Sequence, residues 1–376
     1  MRSDPLTPLH AWLEPGYADG GLGAWLVEVP GVFAPVSTPE RALSALLTAT
    51  GRVREWAADR GDDLGLGMVG RVEIAGEVAA LVQPDGYEVN ATFPWDRRTL
   101  SGDELAAAVR RLAWLDEDLL AVAAAVDAFE SAHGPLPTDD ASGERTADAV
   151  LRHQSGAGVW YVRQLGGTVP EAEPGRDAAA ELVSAGTWAR GRIAELGAAD
   201  DGREVTDERG ETWTLAKVVR RSLYHGFDHL WELERRLARA DGTAERVEVR
   251  LDRRPDALTM AALLRTVGWD GRTVDMGALS EAIDATAEFA AAWDRDRLVG
   301  TARSLTDGTM SGYISTVVVH PRYQGLGVGE RMMHALMDGR EGVRFALSAA
   351  PGMDGWYRKL GYVADPRALM RPRGRN

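Results

Sequence analysis

The stretch Val318-Val-His-Pro-Arg-Tyr-Gln-Gly-Leu-Gly-Val-Gly329 decides the fold of the C-terminal part of this chain. It begins in a β-branched run, Ile314 to Val319, which predicts a buried strand. It ends where residues 330–337, with methionine and leucine along one side, predict a helix. Between them lies the spacing Gln-x-x-Gly-x-Gly. Glycines let the backbone approach a ligand, and the free N–H groups of a helix start attract anions, so the stretch predicts a phosphate-binding loop.

Other interpretations of these glycines are weaker. No Gly-Lys-Ser/Thr follows, as a Walker loop requires, and the third glycine of a dinucleotide fingerprint is missing from its position. A tight strand–helix turn without any ligand remains an alternative on the glycines alone.

The flanking sequence favours one family. Upstream, Trp293-Asp-Arg-Asp-Arg-Leu-Val-Gly-Thr-Ala-Arg303 followed by Asp307-Gly308 is typical of a β-hairpin, and Phe345 to Ala350 predicts another strand. Asp354 is a candidate N-cap for a short helix that Gly361 ends. This helix carries a second signature, Trp356-Tyr-Arg-Lys-Leu-Gly-Tyr362. Together with the glycine loop, it makes residues 250–376 resemble the GNAT acyltransferases, which have an α/β fold and use acetyl-CoA.

The resemblance implies a site. In this family the pantetheine arm pairs with the central strand beside an opening in the sheet, and backbone N–H groups of the loop hold the pyrophosphate. Transferred to this chain, the resemblance implies that the pantetheine arm pairs with the backbone of Val317, Val318 and Val319. It implies that the pyrophosphate is bound by the backbone N–H groups of Gln324, Gly325, Leu326, Gly327, Val328 and Gly329. Tyr357 matches the family's tyrosine, which protonates the leaving thiolate.

The sequence does not identify the general base that deprotonates the amine. Many relatives carry an acidic residue on the central strand where this chain has Thr316. Asp307 is a candidate, although Asp-Gly more often marks a hairpin turn. His320 follows the strand directly and is interpreted as a loop residue. A water relay is the remaining alternative.

A second pattern lies in the middle of the chain. His225 and His229 are four residues apart on a predicted helix, Thr214 to Leu237, near the edge of its apolar stripe. Two imidazoles at this spacing can bind one metal ion. His153 lies on another predicted helix, Thr146 to Leu165, with Trp160 two turns further along the same face.

This arrangement is similar to the DinB-like four-helix bundles, in which one helix supplies a histidine and the last supplies His-x-x-x-His. The resemblance implies helices near 101–131, 146–165, 174–196 and 213–238, and a divalent metal, zinc above all, held by His153, His225 and His229. Several such families transfer low-molecular-weight thiols. The chain contains no cysteine, so a sulfur nucleophile must come from outside.

The first hundred residues predict a small α+β module. Residues 23–31 form an alternating strand with a Pro-Gly turn, and Ser37-Thr-Pro-Glu predicts a helix start. The region is similar to HicB-like modules. The expected organisation is therefore multidomain α+β: a module over 1–100, a DinB-like bundle over 101–240 and a GNAT domain over 250–376.

Composition limits the partners. The net charge of −14 and the pI near 5.1 disfavour binding to nucleic acid. No run approaches the roughly 18 apolar residues of a membrane span, and the N-terminus carries no apolar targeting segment. A cytoplasmic protein with no nucleic-acid or membrane partner is expected.

These patterns predict an acetyl-CoA-dependent N-acetyltransferase for a small amine, fused to a metal-binding bundle with a separate, thiol-transferring step. One alternative is a metal-stabilised scaffold or ligand sensor with a non-catalytic bundle. Another is a protein acetyltransferase whose partner is chosen by the N-terminal module.

Overall fold

A computed structural model describes residues 8–66, 72–136, 146–169, 176–199, 202–272 and 275–369 of the protein. Its mixed content of sheets and helices agrees with the predicted multidomain α+β class. Parts of three predicted regions lie outside the described residues. They are residues 1–7 of the N-terminal module, residues 174–175 of the third bundle helix and residues 370–376 of the GNAT domain. No helix in the described ranges is long and apolar enough to cross a membrane.

The N-terminal region is a sheet with one long helix packed against it. Thr38 is extended and Pro39 occupies the first helical turn, where its fixed φ suits a helix start. The strand order is β3-β2-β1-β4, antiparallel except for the parallel pair β1–β4. The elements are β1 (Leu9–Gly16), α1 (Tyr17–Gly20), β2 (Gly21–Leu26), β3 (Phe33–Val36), α2 (Pro39–Ala58), β4 (Val72–Glu77), β5 (Leu81–Val82) and β6 (Glu88–Val89).

Four long helices occupy the middle of the chain. Each begins at a residue whose side-chain oxygen accepts a hydrogen bond from a backbone N–H of the first turn, and Thr214 is the cap of the last helix, as predicted. The last helix packs against the other three and carries a fully buried face. The elements are α3 (Gly102–His133), α4 (Ala147–Arg163), α5 (Ala178–Ala198), β7 (Val205–Thr206), β8 (Thr212–Trp213) and α6 (Leu215–Ala240).

The C-terminal region is a five-stranded sheet with helices on both faces. Successive side chains of a strand point to opposite faces. Accordingly Phe289 and Trp293 pack with the helices of residues 257–266 and 276–284, whereas Ala290 and Ala292 pack with the helix of residues 328–337. The elements are α7 (Thr243–Arg246), β9 (Val247–Arg250), α8 (Ala257–Thr266), α9 (Met276–Asp284), β10 (Glu288–Asp294), β11 (Arg297–Thr306), β12 (Ser311–Val319), α10 (Val328–Met337), β13 (Arg344–Leu347) and α11 (Asp354–Lys359).

The strand order of this sheet is β13-β12-β11-β10-β9, antiparallel except for the pair β12–β13. Because β9 pairs with β10, the sheet begins at Val247. The predicted domain start at residue 250 therefore falls at the end of its first strand.

Helix α2 joins the N-terminal region to the C-terminal one. At Gly51 it approaches α8 so closely that a Cβ there would overlap the carbonyl of Thr266. Beside this contact, Arg54 pairs with the buried Asp270 at 2.6 Å. Helix α2 also reaches α6, where Arg52 pairs with Glu234 at 2.9 Å.

Candidate sites in the C-terminal sheet and the helical bundle

The C-terminal sheet opens between β12 and β13. The two strands pair from Ser311 to Ile314, and within the described residues no pair between them follows. On its other edge β12 stays paired with β11 up to Val319. The backbone of Val317 to Val319, where pantetheine pairing is predicted, therefore lies on the side of the strand that β13 leaves uncovered.

A β-bulge sets this geometry. Ser315 pairs with Arg303 and Val318 pairs with Thr301, so two residues of β12 stand opposite one residue of β11. The first of the two, Thr316, has a φ of 53°, which is strained for a β-branched residue. A bulge bends its strand, which accounts for the separation of β12 from β13.

The glycine loop follows at once. The side-chain amide of Gln324 donates to the carbonyl of Val319 at 3.0 Å and so ties the loop to the strand. Gly325 and Gly327 take φ values of 79° and 72°, which favour glycine, and α10 begins directly after Gly327. In the described chain the N–H groups of residues 325–330 make no backbone hydrogen bond outside α10, so this turn fits an anion.

The bundle also reaches this loop. A side chain built on Gly325 would lie 3.5 Å from Nη2 of Arg239, near the end of α6. Sequence reasoning missed this cation because only the packing of α6 against the C-terminal region brings it near.

Tyr357 lies on α11 and packs in the same core as Val317 and Val319. Burial raises the pKa of its phenol, so the group is protonated at neutral pH. Gly329 faces the neighbouring Trp356, whose ring would be 3.2 Å from a Cβ at that position. The loop and α11 are therefore packed directly together.

The predicted cap of α11 is wrong. Met353 occupies the N-cap position with no side-chain hydrogen bond, and Asp354 is already the first helical residue. The predicted end is found: Gly361 has a φ of 86°, and Tyr362 N–H donates to the carbonyl of Tyr357.

The side chain of the candidate base Asp307 is engaged elsewhere, and so is that of His320, the predicted loop residue. Asp307 accepts hydrogen bonds from the N–H groups of Thr309, Met310 and Ser311, which lower its pKa to about 2, and it therefore orders the hairpin turn. His320 is 1% exposed and faces Glu55 of α2 at 2.8 Å, so it belongs to the contact between regions.

The three histidines of the bundle come together. His153 on α4 and His225 and His229 on α6 each offer a ring nitrogen, and these atoms lie within 4.8 Å of one another. The ring centroids are 4.5 to 5.1 Å apart. His153 is exposed and His229 is buried, so one side of the cluster faces solvent.

His229 has the arrangement of a metal ligand. Its Nδ1 lies 3.0 Å from a carboxylate oxygen of Glu232, to which it donates. Its Nε2 is buried with no hydrogen-bond partner. A carboxylate on one nitrogen fixes the tautomer that leaves the other nitrogen's lone pair for a metal. The donor set of three imidazoles suits a zinc ion with an open position.

Trp160, which the sequence places on the same helix face as His153, has the contacts of an ordinary core tryptophan. Trp160 packs against Tyr87 and Trp213. Tyr161, one residue later, has its ring centroid 5.8 Å from that of His225. The aromatic ring beside the cluster is therefore that of Tyr161.

A family model described as Acetyltransferase (GNAT) domain matches residues 268–371. An uncharacterised ycf52-like N-acetyltransferase of Prochlorococcus marinus is 30% identical over 119 residues, which are 30% of this chain and 65% of that protein. Serotonin N-acetyltransferase 2, chloroplastic, of Oryza sativa subsp. japonica is 38% identical over 85 residues, 22% of this chain and 42% of that protein. The chain thus spans less than two thirds of either relative.

Among solved structures, a probable acetyltransferase of unknown function from meticillin-resistant Staphylococcus aureus is similar. It is 24% identical, with a TM-score of 0.31, over 34% of this chain and 99% of that one. The match of the family model confirms the predicted C-terminal family for these residues: residues 268–371 of this chain form a GNAT acetyltransferase domain.

Proposed function

We propose that the protein is an acetyl-CoA-dependent N-acetyltransferase that acts on a small amine. The observation that carries the proposal is the open edge of β12 at Val317 to Val319, followed by the glycine loop with its uncommitted N–H groups. One surface binds the extended pantetheine arm by strand pairing, and the other binds the pyrophosphate. A relative named for serotonin N-acetylation supports an amine acceptor of low molecular weight.

The reaction is a direct transfer. The neutral amine attacks the thioester carbonyl, the C–N bond forms, and the C–S bond breaks with the electron pair leaving on sulfur. Tyr357 gives its phenolic proton to the thiolate, and its raised pKa keeps that proton available at neutral pH. Backbone N–H groups on the open edge of β12 stabilise the oxyanion. The proton of the amine passes to water, since Asp307 and His320 are committed elsewhere.

Isothermal titration with acetyl-CoA, followed by turnover assays with a panel of small amines and a panel of lysine peptides, tests this function. We expect binding and turnover of at least one small amine. Turnover of peptides alone would replace the small amine by a protein acceptor, and absence of acetyl-CoA binding would remove the proposal.

We further propose that the bundle binds one divalent ion, with zinc as the best fit, through His153, His225 and His229. Support comes from the converging ring nitrogens and from the unpartnered Nε2 of His229. When bound, such an ion acts as a Lewis acid or activates a thiol or water. The four-helix bundle would then catalyse a thiol-dependent step, as in several DinB-like families. The alternative is that the ion only stabilises the bundle, which would act as a scaffold.

Metal analysis by plasma mass spectrometry separates these possibilities from a metal-free bundle. About one equivalent is expected in the wild type and in His133→Ala, whose histidine is exposed at the end of α3. His153→Ala should lose the ion. If EDTA then lowers the melting temperature strongly, the ion is structural, since removing a ligand of the native state destabilises it.

A further inference from the structure

Arg221 lies on α6 one helical turn before His225, and His225 lies one turn before His229. Residues four apart on a helix share a face and are displaced by about 6 Å along the axis. Arg221 therefore stands next to the histidine cluster on the same helical stripe. Its Cζ is 5.5 Å from the ring centroid of Tyr161, the residue whose ring also lies 5.8 Å from that of His225.

The guanidinium of Arg221 is buried without an adequate partner. The residue is 9% exposed, and its Nε and Nη1 are buried with no hydrogen bond. Its Nη2 reaches only the hydroxyl of Tyr161, at 3.5 Å. Within the described residues no carboxylate forms an ion pair with it. A buried cation left in this state destabilises the folded protein, so such groups persist where something else compensates them.

Two other buried cations of α6, Lys217 and Arg220, show what full compensation by a carboxylate looks like in this chain. Lys217 is fully buried and pairs with Glu211 at 2.8 Å. Arg220, the immediate neighbour, holds both oxygens of Asp96 at 2.8 and 2.7 Å. With both Nε and Nη1 unpaired, Arg221 differs from these two cations, and it lies beside the three histidines.

The groups around Arg221 leave its Nε and Nη1 without a hydrogen bond, although the carboxylate of Glu14 favours the charged guanidinium through space. Tyr17 and Tyr224 share a hydrogen bond of 2.6 Å, and burial raises the pKa of both phenols, so they are neutral at physiological pH. Glu14 already accepts from Trp25 Nε1 and from the N–H of Ala91, both at 2.6 Å.

The aromatic contacts of this guanidinium are also weak. Its Cζ lies 5.5 to 5.8 Å from the rings of Trp25, Tyr161 and Tyr224, near the limit of cation–π attraction.

From this geometry we infer that Arg221 binds a carboxylate of the small molecule that the histidine cluster handles. The planar fork of arginine matches a carboxylate bidentately. A flat group also suits a position between three aromatic rings better than a tetrahedral phosphate. The ligand enters past the exposed His153, and its metal-binding group lies a few bonds from its carboxylate. The inference rests on the metal site proposed above.

The absence of cysteine allows a clean test. In the cobalt-substituted protein, any sulfur-to-cobalt absorption must come from an added thiol, since the chain contributes no thiolate. The probes are 3-mercaptopropionate and 2-mercaptoethanol, which carry a carboxylate and a hydroxyl at similar distances from sulfur. We expect the wild type to bind the carboxylate probe about 10- to 100-fold more tightly, as for a hydrogen bond to a charged group.

Arg221→Met should remove this preference and leave the affinity for 2-mercaptoethanol nearly unchanged. Arg221→Lys keeps the positive charge but loses the planar guanidinium. It should therefore retain part of the preference for 3-mercaptopropionate. Arg235→Met, an exposed arginine on the same helix, is the control and should behave as the wild type. Cobalt stoichiometry and circular dichroism report whether each variant is folded and loaded.

The outcomes are distinguishable. A preference that survives in Arg221→Met would show that the carboxylate chelates the metal directly, and the inference would be wrong. Equal affinities for the two probes in the wild type would overturn it without any variant. A wild type that takes up no cobalt would instead remove the metal site, and with it this inference.

Discussion

At the residue scale, the proposed chemistry of the C-terminal domain depends on one phenol. Replacing Tyr357 by Phe removes the proton donor and preserves the ring that packs in the core. We expect kcat for acetyl transfer to fall by about 100-fold, the usual size of a general-acid contribution, with little change in acetyl-CoA affinity. Steady-state kinetics together with titration calorimetry measure both quantities.

The matched control is Tyr362→Phe. Its ring centroid lies 5.8 Å from that of Tyr357, but its hydroxyl is engaged with Sδ of Met337. The pH profile adds a second readout. Because burial raises the pKa of Tyr357 above its ordinary value of 10.0, the wild-type rate should decline only above about pH 10. An alkaline limb that persists in Tyr357→Phe would exclude the residue as the acid.

At the scale of the element, the bulge in β12 makes a prediction about backbone strain. A β-branched residue in the left-handed region costs about 1–2 kcal/mol, which glycine avoids. Thr316→Gly should therefore leave the free energy of unfolding nearly unchanged or raise it. Thr301→Gly, on the neighbouring β11 beside the same bulge but without a left-handed backbone, should lower it by about 1 kcal/mol through loss of strand propensity and packing.

Urea denaturation of the two variants makes the comparison. Equal losses in both would mean that the left-handed conformation of Thr316 is not strained. A gain in acetyl-CoA affinity is not expected, because the bulge geometry is retained with glycine.

At the scale of the whole molecule, Gly51 holds α2 against α8. In the interior of a helix Gly→Ala ordinarily stabilises by about 1 kcal/mol. Here the added Cβ would overlap the carbonyl of Thr266, so we expect Gly51→Ala to destabilise the protein instead. Thermal unfolding gives the sign of the stability change. The control is Gly191→Ala in α5, because the space around that glycine is open. Gly197 in the same helix is unsuitable, because Leu105 would contact an added Cβ.

The same contact predicts a pH dependence. Burial lowers the pKa of His320. The N–H of Arg322 donates to its Nδ1, and its Nε2 lies 2.9 Å from both Glu55 Oε1 and Arg297 Nη2. A group whose pKa is lower in the folded state loses stability as pH falls below its unfolded value of 6.5. For one proton the slope is at most about 1.4 kcal/mol per pH unit.

Melting temperatures between pH 7.5 and 5.5 measure this effect. The wild type should lose stability across the range more steeply than His320→Gln. Parallel curves for the wild type and His320→Gln would contradict the assignment.

The sequence alone located the features that depend on local spacing. The glycine loop, the cap at Thr214 and the pair His225 and His229 follow from residues close together in the chain, whereas His153 comes from the resemblance to DinB-like bundles. The bulge at Thr316 could not be predicted, since it depends on the register between two strands. The lack of a carboxylate partner at Arg221 could not be predicted either. Two adjacent arginines look alike in the sequence, and only the tertiary structure shows that Arg220 pairs with a carboxylate and Arg221 does not.

The close approach at Gly51 also restricts how the length of this chain can vary. Each residue added to a helix rotates the remainder of that helix by about 100°. One insertion or deletion between Pro39 and Gly51 would therefore turn the glycine away from Thr266 and present a bulky neighbour in its place. Gene variants with altered length are expected in the turn after α2, at residues 59–66, and to be absent from the first twelve or so positions of the helix itself.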